Sequence, residues 1–220
     1  MIAIIPARKG SIRLPKKNRK KLLGKPLINW KVDFAKKLKF INDIVVSTDD
    51  KIILEKILAK KKNIRKFLRP KKFSKNNTDL TKAVIQIIDE YEKKIAKVDS
   101  ILLLQPTSPI RSVKQITRGY RQFKKSKSKN SVVSVSENYS KYKNSFEIKK
   151  NYLCKLKKKQ KKAFEINGNF FIASKAFLKK NKSFYCKSKT HPVILHSKKF
   201  TCDVDTIHDF NKVKKYLLLK

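Results

Sequence analysis

Glycine is scarce in this sequence, with 4 among 220 residues, and the scarcity excludes whole classes of phosphate site. Neither GxxxxGK[ST] nor GxGxxG occurs, so a generic P-loop NTPase or a dinucleotide enzyme is not indicated. Cysteine is nearly as rare: Cys154, Cys186 and Cys202 have no metal-ligand spacing and leave one thiol over from any pairing. No disulfide framework follows, and a reducing, cytoplasmic setting is expected. Long apolar runs are missing as well, since none approaches the ~20 residues of a membrane span. The chain starts with a strand-like run directly after Met1, which is unlike a signal peptide, so a soluble protein without a membrane partner is expected.

Acid is the other shortage. Asp and Glu total 16 against 58 Lys and Arg, a formal net charge of +42. Such an excess ordinarily points to nucleic acid or an anionic surface. Arginine, however, supplies only about eight of the 58, and the lysines are spread along the whole chain. Readers of nucleic acid lean on arginine for bidentate contacts, so the pattern reads as compositional bias painted over solvent faces. Hydrophobic residues make up 40%, an ordinary share for a globular protein. The length suits a single domain, 1–220, with one excursion.

The stretch around which the chain is organised is Met1 to Trp30. Ile2 to Ile5 reads as a buried strand ending at Pro6. A loop with Arg8, Lys9, Gly10, Ser11, Arg13, Lys16, Lys17 and Asn18 follows, and a helix starts near Pro26. Backbone N–H groups and fixed cations outside the carboxyl end of a strand suit a polyphosphate.

Beyond it the periodicity alternates. Leu27, Ile28, Trp30, Val32, Phe34, Ala35 and Leu38 predict a helix with lysines between them, and Ile44 to Ser47 a strand. Thr48, Asp49 and Asp50 can cap a helix through Ile52, Ile53, Ile57 and Leu58. A helix through Val84 to Ile88, a strand Ser100–Leu104, a helix Ser112–Phe123 and a strand Ser131–Val135 continue the pattern. Alternation of this kind implies parallel pairing with helical crossovers. Between Glu137 and Lys162 the texture changes to loosely interleaved aromatics and lysines, among them Tyr139, Tyr142, Phe146 and Tyr152, which suggests short strands. Near the end, Phe200 to Asp205 reads as a strand. Asp203 and Asp205, two apart, would share one face while Val204 takes the other. Their repulsion would be relieved by a divalent cation; the alternative is a solvated edge. A last helix, Thr206–Leu219, carries a surface His208.

Two stretches carry a family likeness. IIPARKGSIRLPKKN with LLGKPLINW, and LLLQPTSPIR, resemble the sugar-activating cytidylyltransferases, above all the acylneuraminate (CMP-sialic acid) synthetases. The branch for the eight-carbon lipopolysaccharide sugar typically reads VQGDEP instead of QPTSP. The resemblance implies a Rossmann-like α/β nucleotidyltransferase fold: a mostly parallel sheet, helices on both faces, and a small strand-rich excursion at 137–162 that could serve dimerisation. It implies transfer of CMP from CTP to a nonulosonic (nine-carbon) acid with release of pyrophosphate, Mg²⁺ as cofactor and a homodimer. Pseudaminic, legionaminic or eight-carbon acids are the alternative acceptors, and a basic nucleic-acid-binding protein or an inactive homologue are the rivals from other classes. By the same likeness Arg8, Gly10, Ser11, Arg13, Lys17 and Asn18 would hold the triphosphate, and Arg69 with Thr78 the cytosine. Gln105, Lys143, Asn167 and Phe171 would meet the sugar acid, and Asp203 and Asp205 the metal, with Arg8, Lys17 and the two aspartates forming the catalytic set. Two departures stand out: Ile12 replaces the usual lysine, and Phe171 a common tyrosine.

Overall fold

The first strand, β1 (Ile2–Pro6), is buried at every position, as its unbroken apolar run requires. In the computed structural model, which describes residues 1–59, 61, 63–75, 77–138, 145–156 and 162–219, it lies inside the sheet with a neighbour on each side. A short hairpin, β2 (Lys21–Leu22) and β3 (Lys25–Pro26), leads to α1 (Leu27–Ala35). Then come β4 (Asp43–Thr48), β5 (Arg65–Leu68), α2 (Leu80–Lys94), β6 (Ser100–Leu103), α3 (Val113–Lys125) and β7 (Ser131–Asn138). The second half adds β8 (Phe146–Lys149), β9 (Tyr152–Lys155), β10 (Ala163–Ser174), α4 (Lys175–Asn181), β11 (Thr190–Ile194), α5 (Lys198–Thr201) and α6 (Ile207–Leu218).

The strand order is β11-β7-β10-β6-β1-β4-β5. β1 pairs in parallel with β4 and β6, β4 with β5, and β11 with β7; among these seven strands β10 runs the other way, against β6 and β7. Alternation along β1 assigns its side chains to two cores. Ile2 and Ile4 meet α2 and α4 on one face, while Ala3 and Ile5 meet α1 and α3 on the other. Helices therefore cover both faces of a mostly parallel sheet, as the family likeness implied. Packing is close enough that a Cβ on Gly119 of α3 would stand 2.9 Å from the Phe170 ring, so only glycine lets this helix lie flat on β10. The β8–β9 hairpin forms the strand-rich excursion and touches the sheet at Phe146–Phe164. Tyr139, Tyr142 and Lys143 lie outside the described residues.

Two expectations need correction. The helix after Asp50 is wound as a π-turn over Ile53–Ile57, closed by Leu58 N–H to the Ile53 carbonyl at 2.9 Å. The wider turn puts Ile53 and Leu58, five apart, into the same core, where both are fully buried. Residues 202–205 are not a strand either. Their Val204 N–H is taken by the Thr107 carbonyl at 2.7 Å and the Val204 carbonyl by Lys17 Nζ at 2.8 Å. The backbone groups that a sheet neighbour would use are thus spent on two loops.

Candidate active site

Because β1, β4, β5 and β6 run parallel, their carboxyl ends open on one side of the sheet, where open α/β folds bind ligands. The loop after β1 is held there at several points. Ala7 N–H donates to the Ser47 carbonyl at 2.8 Å, Lys9 N–H to Asp49 Oδ1 at 2.6 Å, and Asn18 Nδ2 to the Arg8 carbonyl at 3.0 Å. Leu14 anchors the middle of the loop in a small third core with Leu22, Leu27, Val204 and Phe210. Asp49, read as a cap, instead fixes the loop; the capping falls to Asp50, whose Oδ1 accepts from Ile52 N–H at 3.2 Å.

The loop walls a cleft of about 310 Å³. Arg8, Gly10, Ser11, Lys17 and Asn18 line it from the loop after β1, Arg69 and Thr78 from the segment after β5, Gln105 from the end of β6, and Asp205, bonded to Lys17, from the segment before α6. Phe73, Lys75 and Thr107 line it too. Arg69 is buried, with Nε donating to Ser47 Oγ at 3.3 Å and Nη2 to the Ser47 carbonyl at 3.0 Å. Burial pulls its pKa down to about 10, so it remains a cation at neutral pH with its fork fixed at the cleft wall.

The carboxylates are not a matched pair. Asp205 faces the cleft and accepts from Arg13 Nη2 at 2.6 Å and Lys17 Nζ at 3.0 Å. Asp203 accepts from the Ser108 hydroxyl, and burial pushes its pKa up, opposed by that hydrogen bond and assisted by repulsion from Asp205. Asp203 sits behind Gly168, which has φ +74 and leaves room for Gln105: a Cβ there would lie 2.8 Å from Gln105 Oε1 and 3.9 Å from Asp203 Oδ2. Asn167 is turned inward, its Oδ1 accepting from the Ser134 hydroxyl at 2.7 Å and Asn169 N–H at 3.1 Å, while its buried Nδ2 has no partner among the described residues. Arg13, Asp203, Asn167 and Phe171 are not among the residues that line the cleft. For Phe171 the reason is plain: its ring packs in the core 5.0 Å from that of Phe184, so the expected sugar wall is a structural residue.

A sequence profile of the family described as cytidylyltransferase matches residues 2–219. The chain belongs to the cytidylyltransferase family. This cytidylyltransferase is 32% identical over 228 residues to the CMP-N,N'-diacetyllegionaminic acid synthase of Legionella pneumophila, covering 100% of this chain and 97% of that one. It is 28% identical over 222 residues to the pseudaminic acid cytidylyltransferase of Campylobacter jejuni, covering 97% and 94%. A solved structure of CMP:2-keto-3-deoxy-manno-octonic acid synthetase complexed with CTP matches its fold with a TM-score of 0.78 at 14% identity, over 99% of this chain and 98% of that one.

Two side chains of the cytidylyltransferase fold escaped reading from sequence. Arg111 is buried and donates to the carbonyls of Asn169 at 2.9 Å, Gln105 at 2.6 Å and Ser108, tying the turn after β6 to the bend in β10. Burial lowers its pKa to about 9. Lys31 on α1 is fully buried, and its Nζ has no hydrogen-bond partner among the described residues. Its signal was present, because position 31 follows Leu27 by four and Ile28 by three and so falls on the apolar face.

The donors at 203 and 205 are of the class that a hard divalent cation takes, and of the two Asp205 lines the cleft. Both are carboxylates, they repel each other, and among the described residues no third His, Cys, Asp or Glu joins them. Mg²⁺ is commonly held by one or two carboxylates with the remaining positions left to substrate phosphates and water.

Proposed function

We propose that the protein transfers CMP from CTP to a nonulosonic acid and releases pyrophosphate. The observation that carries this reading is the convergence of three groups on one cleft: the β1 loop cations, the fixed Arg69 fork, and Gln105 with Asp205. The triphosphate lies along Arg8, Lys17 and the Gly10-Ser11 backbone, where charge-assisted hydrogen bonds hold it. Cytosine stands against Arg69, Phe73 and Thr78, with a guanidinium donor for its O2 and N3 acceptors. The sugar acid takes the Gln105 side, near Asn167. Its anomeric hydroxyl attacks the α-phosphorus in line; the new P–O bond forms as the bond to pyrophosphate breaks, and the hydroxyl proton passes to solvent water. Positioning supplies much of the rate. Mg²⁺ on Asp203 and Asp205 would neutralise phosphate charge and acidify the hydroxyl.

The acceptor is a nine-carbon acid on this reading, supported by the QPTSPIR turn and by relatives named for legionaminic and pseudaminic acid. A cytoplasmic homodimer touching through the β8–β9 excursion completes the proposal, and sedimentation of the purified protein checks its oligomeric part. The deciding experiment is pyrophosphate release from CTP with a panel of N-acetylneuraminic, legionaminic, pseudaminic and eight-carbon acids. Release with at least one nine-carbon acid, and more slowly with UTP in place of CTP, is expected. Release confined to the eight-carbon acid, or none together with salt-sensitive nucleic-acid binding that CTP does not displace, would overturn it.

A further inference from the structure

Both oxygens of Asp205 are already engaged by cations from the β1 loop: Oδ2 by Arg13 at 2.6 Å and Oδ1 by Lys17 at 3.0 Å. The two cations are held differently. The Lys17 side chain is 10% exposed, and its ammonium is bonded a second time, to the Val204 carbonyl at 2.8 Å, so it is fixed in the framework. Arg13 has a 67% exposed side chain between the exposed Ile12 and the anchored Leu14. An exposed ion pair is weak enough to be broken by a better partner. A guanidinium has such a partner in a phosphate, which it can bind through two parallel N–H groups.

We infer that Arg13 is a positioning residue that latches Asp205 until the nucleotide arrives. Resting on the cytidylyltransferase reading above, the inference makes one guanidinium serve two anions in turn. Without nucleotide, Arg13 occupies Asp205 Oδ2 and keeps a divalent cation off it. The triphosphate competes for Arg13; the guanidinium swings from carboxylate to phosphate, and Asp205 is released to the cation. Nucleotide and metal are thereby coupled, each binding more tightly in the presence of the other, as reciprocity requires. The coupling also places a role on the Ile12 departure: the neighbouring position carries no charge to hold the phosphates, so the task rests on a residue that has another engagement.

Mn²⁺ binding tests the inference without turnover, by the free-ion electron paramagnetic resonance signal, in protein alone and in protein with CTP but no sugar acid, against a nucleotide-only control. Arg13→Gln is expected to bind Mn²⁺ alone about two- to fivefold more tightly than wild type, the range an exposed ion pair of this kind supplies. Arg13→Lys, which keeps a charge, is expected to fall nearer wild type. Addition of CTP should raise the Mn²⁺ affinity of wild type by a larger factor than that of Arg13→Gln. Equal Mn²⁺ affinity of wild type and Arg13→Gln without nucleotide, with CTP-dependent uptake intact, would overturn the latch alone. Failure of both to take up Mn²⁺ even with CTP would overturn the metal reading and the latch with it.

Discussion

Two basic side chains lie inside this protein within electrostatic reach of Asp203, and they are built in opposite ways. Arg111, in the turn after β6, spends its guanidinium on three carbonyls, those of Asn169, Gln105 and Ser108. Lys31, on α1, has no acceptor for its Nζ among the described residues and is surrounded by Arg111, Lys17 and Asp203, two repulsions to one attraction. The difference follows from the groups themselves. A planar fork of five donors can meet several carbonyls from one position and stays charged under a falling pKa; an ammonium is a strongly hydrated point charge that burial drives toward neutrality. One region is therefore a staple for the cleft, and the other a strained point beneath it.

The largest expected effect is on the staple. Arg111→Met keeps the bulk but leaves three carbonyls short of a donor, two of them on the walls that carry Gln105 and Asn169. A loss of about 3–5 kcal/mol is expected, from a cost of about 1–3 kcal/mol for each buried group left unsatisfied, partly relieved by relaxation. Denaturant unfolding of the purified variant measures it. A loss below about 1 kcal/mol would mean that water replaces the fork, and the contrast with Lys31 would fail.

The sequence showed the frame more clearly than the joints. Strand runs such as Ile2–Ile5 and Ile101–Leu104 are legible because a strand buried on both faces must be apolar at every position, and the motif after each of them places a loop at the cleft. The segment 202–205 was misread because alternation of Asp, Val and Asp is the same whether the backbone pairs with a strand or with two loops. Only the tertiary partners, the Thr107 carbonyl and Lys17, decide. Phe171 was misplaced for a related reason: the motif fixes its position along β10, while the bulge between Ile166 and Phe171 sets which way it points. Arg111 was visible as a letter of QPTSPIR but not as a buried one, since its partners are backbone carbonyls that have no signature in a sequence.

A smaller effect separates the fixed wall from the residue it carries. Gly168 combines φ +74 with a Cβ position 2.8 Å from Gln105 Oε1, so Gly168→Ala meets both backbone strain and a displaced amide. About 2 kcal/mol of stability should be lost, within the range for a non-glycine residue held at positive φ. Displacement of Gln105 adds a kinetic mark: KM for the sugar acid should rise more than KM for CTP. Equal changes in the two would move Gln105 away from the sugar side of the cleft.

The smallest effect has the opposite sign and bears directly on Lys31. Lys31→Met replaces a buried amine without a partner by an apolar side chain of similar length, so the variant is expected to be about 1 kcal/mol more stable at neutral pH. In the unfolded chain Lys31 titrates near the usual 10.5; in the fold, burial lowers it well below, with repulsion from Arg111 and Lys17 outweighing attraction from Asp203. As pH falls below 10.5 the unfolded chain therefore takes up a proton that the fold does not yet accept, and wild type loses stability through that window until the folded amine is protonated too. Below that point the loss is constant; above 10.5 neither state is charged there and the loss is gone. The gap between Lys31→Met and wild type should accordingly be widest at neutral and acid pH and should narrow as pH approaches 10.5. Urea unfolding of both proteins across pH 6–10 reads the gap. A gap that does not change with pH, or a variant less stable than wild type throughout, would mean that the Lys31 ammonium is held by a partner after all, and the two buried cations would be alike.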